Sequence, residues 1–150
     1  MATEKFCKPE APVNGLRPGP TDGPYRILMV EADHGLGQSN AHKFRQYGYR
    51  AQAKADAETA WAELQTEHYH LLVTDNDLPG LTGVGLLKKV RSACMPLPVI
   101  ITVSALPSWR SPEYPWLLHV NRLPKPYSFV NLLGLVQGIL PAIDLSRAAV

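Results

Sequence analysis

The sequence predicts an α/β protein, a doubly wound five-stranded parallel sheet with helices on both faces. Two observations carry that reading. Three short runs, residues 27–30, 71–74 and 99–103, are nearly continuous in apolar character, as strands covered on both sides must be. Between and after them lie stretches with helical periodicity, and such alternation marks a parallel sheet with crossover helices.

Taken in order, residues 1–24 carry Pro9, Pro12, Pro18, Pro20 and Pro24 among Gly, Thr and Asn. That mixture supplies turns but little apolar surface to bury, so a flexible leader is expected. The folded domain is expected over residues 25–141, with 142–150 as a tail. After the first strand at 27–30, a helix is expected over 36–47. Its pattern is poor, and Gly35 and Gly37 near its start each cost up to about 1 kcal/mol relative to Ala. Residues 49–53 form a more polar strand, suited to a sheet edge. Asp56 is placed to cap a helix whose buried stripe is Ala57, Ala60, Trp61 and Leu64. Following the strand at 71–74, residues 83–93 give a helix with Leu86, Leu87 and Val90 inward and Lys88, Lys89 and Arg91 outward. Beyond the strand at 99–103, Pro107, Pro112 and Pro115 interrupt residues 107–118, so any fourth helix is short or broken. A weaker strand at 119–123 leads to Ser128. That residue caps a final helix striped by Phe129, Leu132, Leu133, Val136, Ile139 and Leu140, and Pro141 stops it.

Composition narrows the function. The 150 residues include 15 basic and 13 acidic side chains, a formal charge of +2, with no basic block to track a phosphate backbone. Nucleic acid is not an implied partner. No apolar run approaches the roughly 18 residues that span a bilayer, so no membrane partner is expected. Cys7 and Cys94 lack metal-ligand spacing, and no signal-peptide pattern opens the chain. A cytoplasmic setting is the simpler expectation. His34, His42, His68, His70 and His119 show no pair at helical metal spacing and read as surface or structural. Trp61 reads as core, and so do Trp109 and Trp116, for which a partner-facing role is the alternative.

In an open parallel sheet, ligands collect beyond the carboxyl ends of the strands. Those positions are charged here. Glu31 and Asp33 follow the first strand, Asp75 and Asp77 end the third, and Lys125 with Pro126 follows the fifth. Clustered carboxylates repel one another unless a cation intervenes, and oxygen donors of this kind suit a hard ion such as Mg2+. With a metal polarising phosphoryl oxygens and a lysine balancing charge, an aspartate can act as a nucleophile toward phosphorus.

Three stretches carry a resemblance to the receiver domains of bacterial response regulators: Ile-Leu-Met-Val-Glu-Ala-Asp at 27–33, Leu-Val-Thr-Asp-Asn-Asp-Leu-Pro-Gly at 72–80 followed by Gly83, and Leu-Pro-Lys-Pro-Tyr at 123–127. Leu-Pro-Val-Ile at 97–100, Leu-Pro at 106–107 and Tyr-Pro-Trp-Leu at 114–117 point further to short stand-alone receivers. The resemblance implies a flavodoxin-like sheet of order 2-1-3-4-5. It also implies a signalling domain, not an enzyme, with Asp75 as phosphoacceptor, Lys125 as its conserved lysine partner and a cis peptide bond before Pro126. The implied donor is a sensor histidine kinase or phosphotransfer protein, and the output is contact with a downstream protein. The implied metal set is Glu31, Asp33, Asp75 and Asp77, with Asp77 contributing through its backbone carbonyl.

The match departs from the family at three places. Ala32 stands where a second acid normally binds the metal, so Mg2+ binding is expected to be weak. Counting without a gap puts Val103 at the position of the switch hydroxyl; Thr102 and Ser104 flank it, and Ser104 before Ala105 is the preferred candidate. Arg122 replaces the usual switch aromatic. Two other readings follow: a pseudo-receiver that binds partners without phosphorylation, and a flavin or nucleotide protein of the same strand order. Gly-Leu-Gly at 35–37 is a weak signal for the latter. Because prolines reshape the face around the fourth helix, a monomer is expected.

Overall fold

A computed structural model describes residues 24–104, 115–116 and 120–140. Five strands run in chain order β1 (Arg26–Val30), β2 (Arg50–Lys54), β3 (Leu71–Asp75), β4 (Val99–Val103) and β5 (Asn121–Pro124). Among the described residues there are four helices, α1 (His34–Gln46), α2 (Ala57–Thr66), α3 (Gly83–Ser92) and α4 (Phe129–Ile139). All strand pairings are parallel, in the order β2-β1-β3-β4-β5. The predicted fold class and strand order are those observed. The expected leader, the tail and the proline-rich segment lie outside the described residues, apart from Pro24, Pro115 and Trp116.

Side-chain alternation explains why the sheet needs two helical layers. Leu28, Val30, Leu72, Val99, Ile101 and Val103 face one core, closed by Ala57, Ala60 and Leu64 of α2 and Leu86, Leu87 and Val90 of α3. Ile27, Met29, Leu71, Val73 and Ile100 face the other, closed by Ala41 and Phe44 of α1 and Leu132, Leu133 and Val136 of α4. Strands β3 and β4 are buried along their whole length, which is why their sequences are almost uninterrupted apolar runs. Trp61 and Trp116 pack against the first core at its margin, partly buried.

Local chemistry sets the helix ends. Asp56, Thr82 and Ser128 cap α2, α3 and α4 by accepting from the amides of Thr59, Gly85 and Asn131. At α4, Ser128 and Asn131 bond reciprocally. Helix α1 begins two residues before its expected start because Asp33 is its cap, Oδ1 accepting from Leu36 N at 3.1 Å. The first strand turns sharply into α1, and Gly37 is buried there. A side chain at Gly37 would press within 3.3 Å of the Glu31 Cβ.

Candidate functional site

The carboxyl ends of β1, β3, β4 and β5 share one edge of the sheet, and the charged residues read from sequence meet there. Asp75 is the last residue of β3 and is 2 % exposed; Glu31, just past β1, is 4 % exposed. Lys125 follows β5, where its amide donates to Val103 O at 2.8 Å. Its Nζ reaches Asp75 Oδ2 at 2.8 Å. The Lys125–Pro126 bond is cis.

The other Asp75 oxygen, Oδ1, accepts from the Asp77 amide at 3.0 Å. Both carboxylate oxygens are thus held, which fixes the rotamer of a side chain at the end of a buried strand. Asn76 holds the loop beyond it. Its amide donates to Thr102 O, its carbonyl accepts from Leu78 and Gly83, and its Oδ1 accepts from Val84 N at 3.0 Å. Gly83 lies so close that a Cβ there would overlap the Asp75 carbonyl oxygen and come within 2.8 Å of the Asn76 Cα. Backbone contact therefore dictates the glycine eight residues after the aspartate.

Electrostatics follow from burial. Removal from water pushes the Glu31 pKa up; the Asp33 amide, donating to Oε2 at 3.2 Å, opposes that, and the negative charge of Asp75 adds to the rise. Burial disfavours the Lys125 ammonium, but its hydrogen bond to Asp75 and the charges of Asp75, Glu31 and Asp77 outweigh this and lift its pKa above the ordinary lysine value. The Tyr127 phenol, partly buried and near Glu31, is pushed up to about 12. Its oxygen accepts from the buried Asn40 amide at 3.3 Å.

The structure brings Glu31, Asp75, Asp77, Ser104 and Lys125 to this edge. The Ser104 hydroxyl donates to Asp77 Oδ2, whereas Val103 turns to the opposite face and joins the α2–α3 core. The exposed Asp33 is turned toward the start of α1, where one of its oxygens caps the helix. Sequence reasoning did not single out Asn40, Asn76 or Tyr127. Thr102, noted only as flanking Val103, is the register partner of Asp75 and is 1 % exposed. Its Oγ1 is buried without a hydrogen-bond partner.

The donor set suits a hard divalent cation of the magnesium type, which binds through one or two carboxylates and keeps several waters. Glu31 and Asp75 are two such carboxylates, crowded together with one ammonium to balance them. Among the described residues no group of three or more His, Cys, Asp or Glu is arranged to hold a metal, so a fully protein-ligated centre is absent from that set. No helix of the described chain is long and apolar enough to cross a membrane.

A buried aspartate at the end of β3, held by a lysine that follows β5 on the far side of β4 in a 2-1-3-4-5 parallel sheet, defines a class, and comparison with known proteins agrees. Residues 27–108 match the family described as response regulator receiver domain. The chain belongs to that family: it is a receiver domain of two-component signalling, a signalling module and not a catalytic enzyme. Receiver domains of this family interact with histidine kinases. The two-component response regulator-like protein APRR5 of Arabidopsis thaliana is 33% identical over 108 residues, covering 67% of this chain and 19% of that protein. The chain spans less than half the length of the curated relatives it matches.

Among solved structures, the receiver domain of the hybrid histidine kinase CckA superposes with TM-score 0.62 at 31% identity, covering 77% of this chain and 98% of that one. The response regulator TrrA of Thermotoga maritima, solved in complex with Mg2+ and BeF, gives 0.66 at 20% identity over 77% and 99%. At that identity the likeness concerns the fold.

Proposed function

We propose that Asp75 is a phosphoacceptor that takes a phosphoryl group from a phosphohistidine of a sensor kinase or phosphotransfer protein in the cytoplasm. The observation that carries this is the 2.8 Å contact between Lys125 Nζ and Asp75 Oδ2 at a buried strand end. A carboxylate oxygen of Asp75 attacks phosphorus, the phosphorus–nitrogen bond breaks, and the imidazole nitrogen leaves with the electron pair. Lys125 stays beside the acceptor and offsets the charge gathering on the phosphoryl oxygens. Ser104, next to Asp77, supplies a hydroxyl to that group, and the altered edge is read by a downstream protein.

Glu31 and Asp75 would hold Mg2+, with Asp77 through its carbonyl and Asp33 through water. When bound, the ion polarises phosphoryl oxygens. Ala32 removes one direct ligand, so loose binding is expected.

The test is labelling with radioactive acetyl phosphate and Mg2+. An acid-stable, base-labile label on the wild type that disappears in Asp75→Asn is the expected result. An unlabelled wild type, or a label that persists in the variant, would refute the acceptor role. A pseudo-receiver is the second reading, favoured by Ala32 and by the engagement of Asp33 as a helix cap. It requires that beryllofluoride with Mg2+ leave the amide spectrum around Glu31, Asp75, Ser104 and Lys125 unchanged.

A further inference from the structure

At the opposite end of the sheet, where the strands begin, three arginines far apart in sequence converge on one cleft. Arg26 opens β1, Arg50 opens β2, and the two are register partners on adjacent strands. Arg45 reaches in from the last turn of α1, its Nε donating to Ala51 O at 3.1 Å. Together with Tyr49, Gln52 and Tyr69 they line a cavity of about 430 Å3, within the roughly 300–1,000 Å3 of small-molecule sites.

The charges around this cleft do not cancel. Glu67 contacts Arg26 at 3.4 Å with half its side chain exposed. Glu63 is engaged elsewhere, accepting from the Tyr69 hydroxyl at 2.7 Å and pairing with Lys54 at 3.7 Å. Three guanidiniums against Glu67 leave an excess of two positive charges. Among the described residues the Arg50 guanidinium has no ion-pair partner, and the Tyr49 hydroxyl has no hydrogen-bond partner. Arg45 keeps both terminal amino groups for another acceptor.

Guanidinium forks match phosphate oxygens two at a time; the Arg26 group covers one face of the Tyr69 ring at 4.8 Å, and the rings of Tyr49 and Tyr69 are largely buried. The cavity is much larger than one phosphate. We propose that this cleft binds a small phosphate-bearing ligand of the mononucleotide class, with its phosphate between Arg45 and Arg50 and its body along Gln52 and the Tyr49 hydroxyl. The site is separate from Asp75, at the other end of the strands, and does not depend on the phosphoacceptor reading.

The experiment is an amide NMR titration of the full chain with AMP, adenosine and inorganic phosphate in parallel. AMP should give saturable shifts at Tyr49, Arg50, Ala51 and Gln52, with adenosine inert and inorganic phosphate at least about tenfold weaker. Arg50→Gln, at an exposed position, should weaken AMP by about tenfold, and Arg45→Gln should do the same. Asp75→Asn should leave AMP affinity unchanged, which separates this site from the acceptor. Absence of saturation at millimolar AMP, equal shifts with phosphate alone, or indifference to Arg50→Gln would each overturn the proposal. Those results would reduce the arginines to charges that protect the β2 edge from pairing.

Discussion

Thr102→Val offers a sharp test of the packing beside Asp75. Thr to Val in a core normally destabilises, because the hydroxyl was hydrogen-bonded and the swap is not truly volume-conserving in chemistry. Here the sign should reverse. Thr102 is 1 % exposed, faces the core with Ile100, and is flanked in register by Asp75 on β3 and Leu123 on β5. Its Oγ1 has no partner. A buried hydroxyl without a partner costs about 1–3 kcal/mol, and a methyl of the same shape removes that cost. A gain of about 1–2 kcal/mol is therefore expected. With a urea m-value of roughly 2 kcal/mol/M for a domain of this size, the midpoint should rise by about 0.5–1 M at unchanged m. Urea unfolding followed by circular dichroism measures this directly. A fall in the midpoint would mean that the hydroxyl is bonded and that the reasoning is wrong. The same variant also bears on Ser104. Retained acetyl-phosphate labelling leaves the hydroxyl role with Ser104, and lost labelling transfers it to Thr102.

Two further outcomes are expected. Gly83→Ala should destabilise by about 1–3 kcal/mol and reduce labelling of Asp75, since the new methyl collides with the Asp75 carbonyl and the Asn76 backbone; unfolding midpoints and label yield at wild-type level would contradict this. His70 accepts the Arg26 amide through Nδ1 at 2.9 Å, and burial, then the charges of His68 and Arg26, hold its pKa below the ordinary histidine value. Its contribution is therefore fully present above the unfolded pKa of about 6.5 and is lost as pH falls toward the lower folded value, where the unfolded chain alone binds the proton. His70→Gln, whose amide oxygen can still accept from Arg26, should flatten the decline in unfolding free energy between about pH 7 and pH 5. Equal slopes in the two proteins would refute the assignment.

The parts of the fold that were legible in the sequence are those where burial is two-sided. Runs such as Val99-Ile100-Ile101-Thr102-Val103 can hardly be anything but central strands, and once three such strands are placed, Glu31 and Asp75 must emerge on the same edge, whereas Lys125 depends on the weaker fifth strand. Asp33 shows the limit of that logic. A carboxylate just past a strand is equally a metal ligand and a helix cap, and the choice depends on where α1 starts. Gly35 and Gly37 read as a cost to the helix, but a side chain at Gly37 would press on Glu31 where α1 passes close to it. The arginine cleft was invisible for another reason. Arg26 and Arg50 become neighbours only through strand register, which no local pattern encodes, and a scattered net charge of +2 conceals where the positive charges gather.

The same distinction bears on Ala32. As a motif, its loss looks like the end of a metal site, because one acid of an expected pair is missing. As electrostatics, the site still buries Glu31 and Asp75 beside a single ammonium, an unbalanced negative charge that only a proton or a cation can relieve. Burial first, and then the negative charge of Asp75, pushes the Glu31 pKa up. A divalent ion would bring positive charge to the same oxygens, so the loss of one ligand weakens the hold on the metal without removing the charge that attracts it.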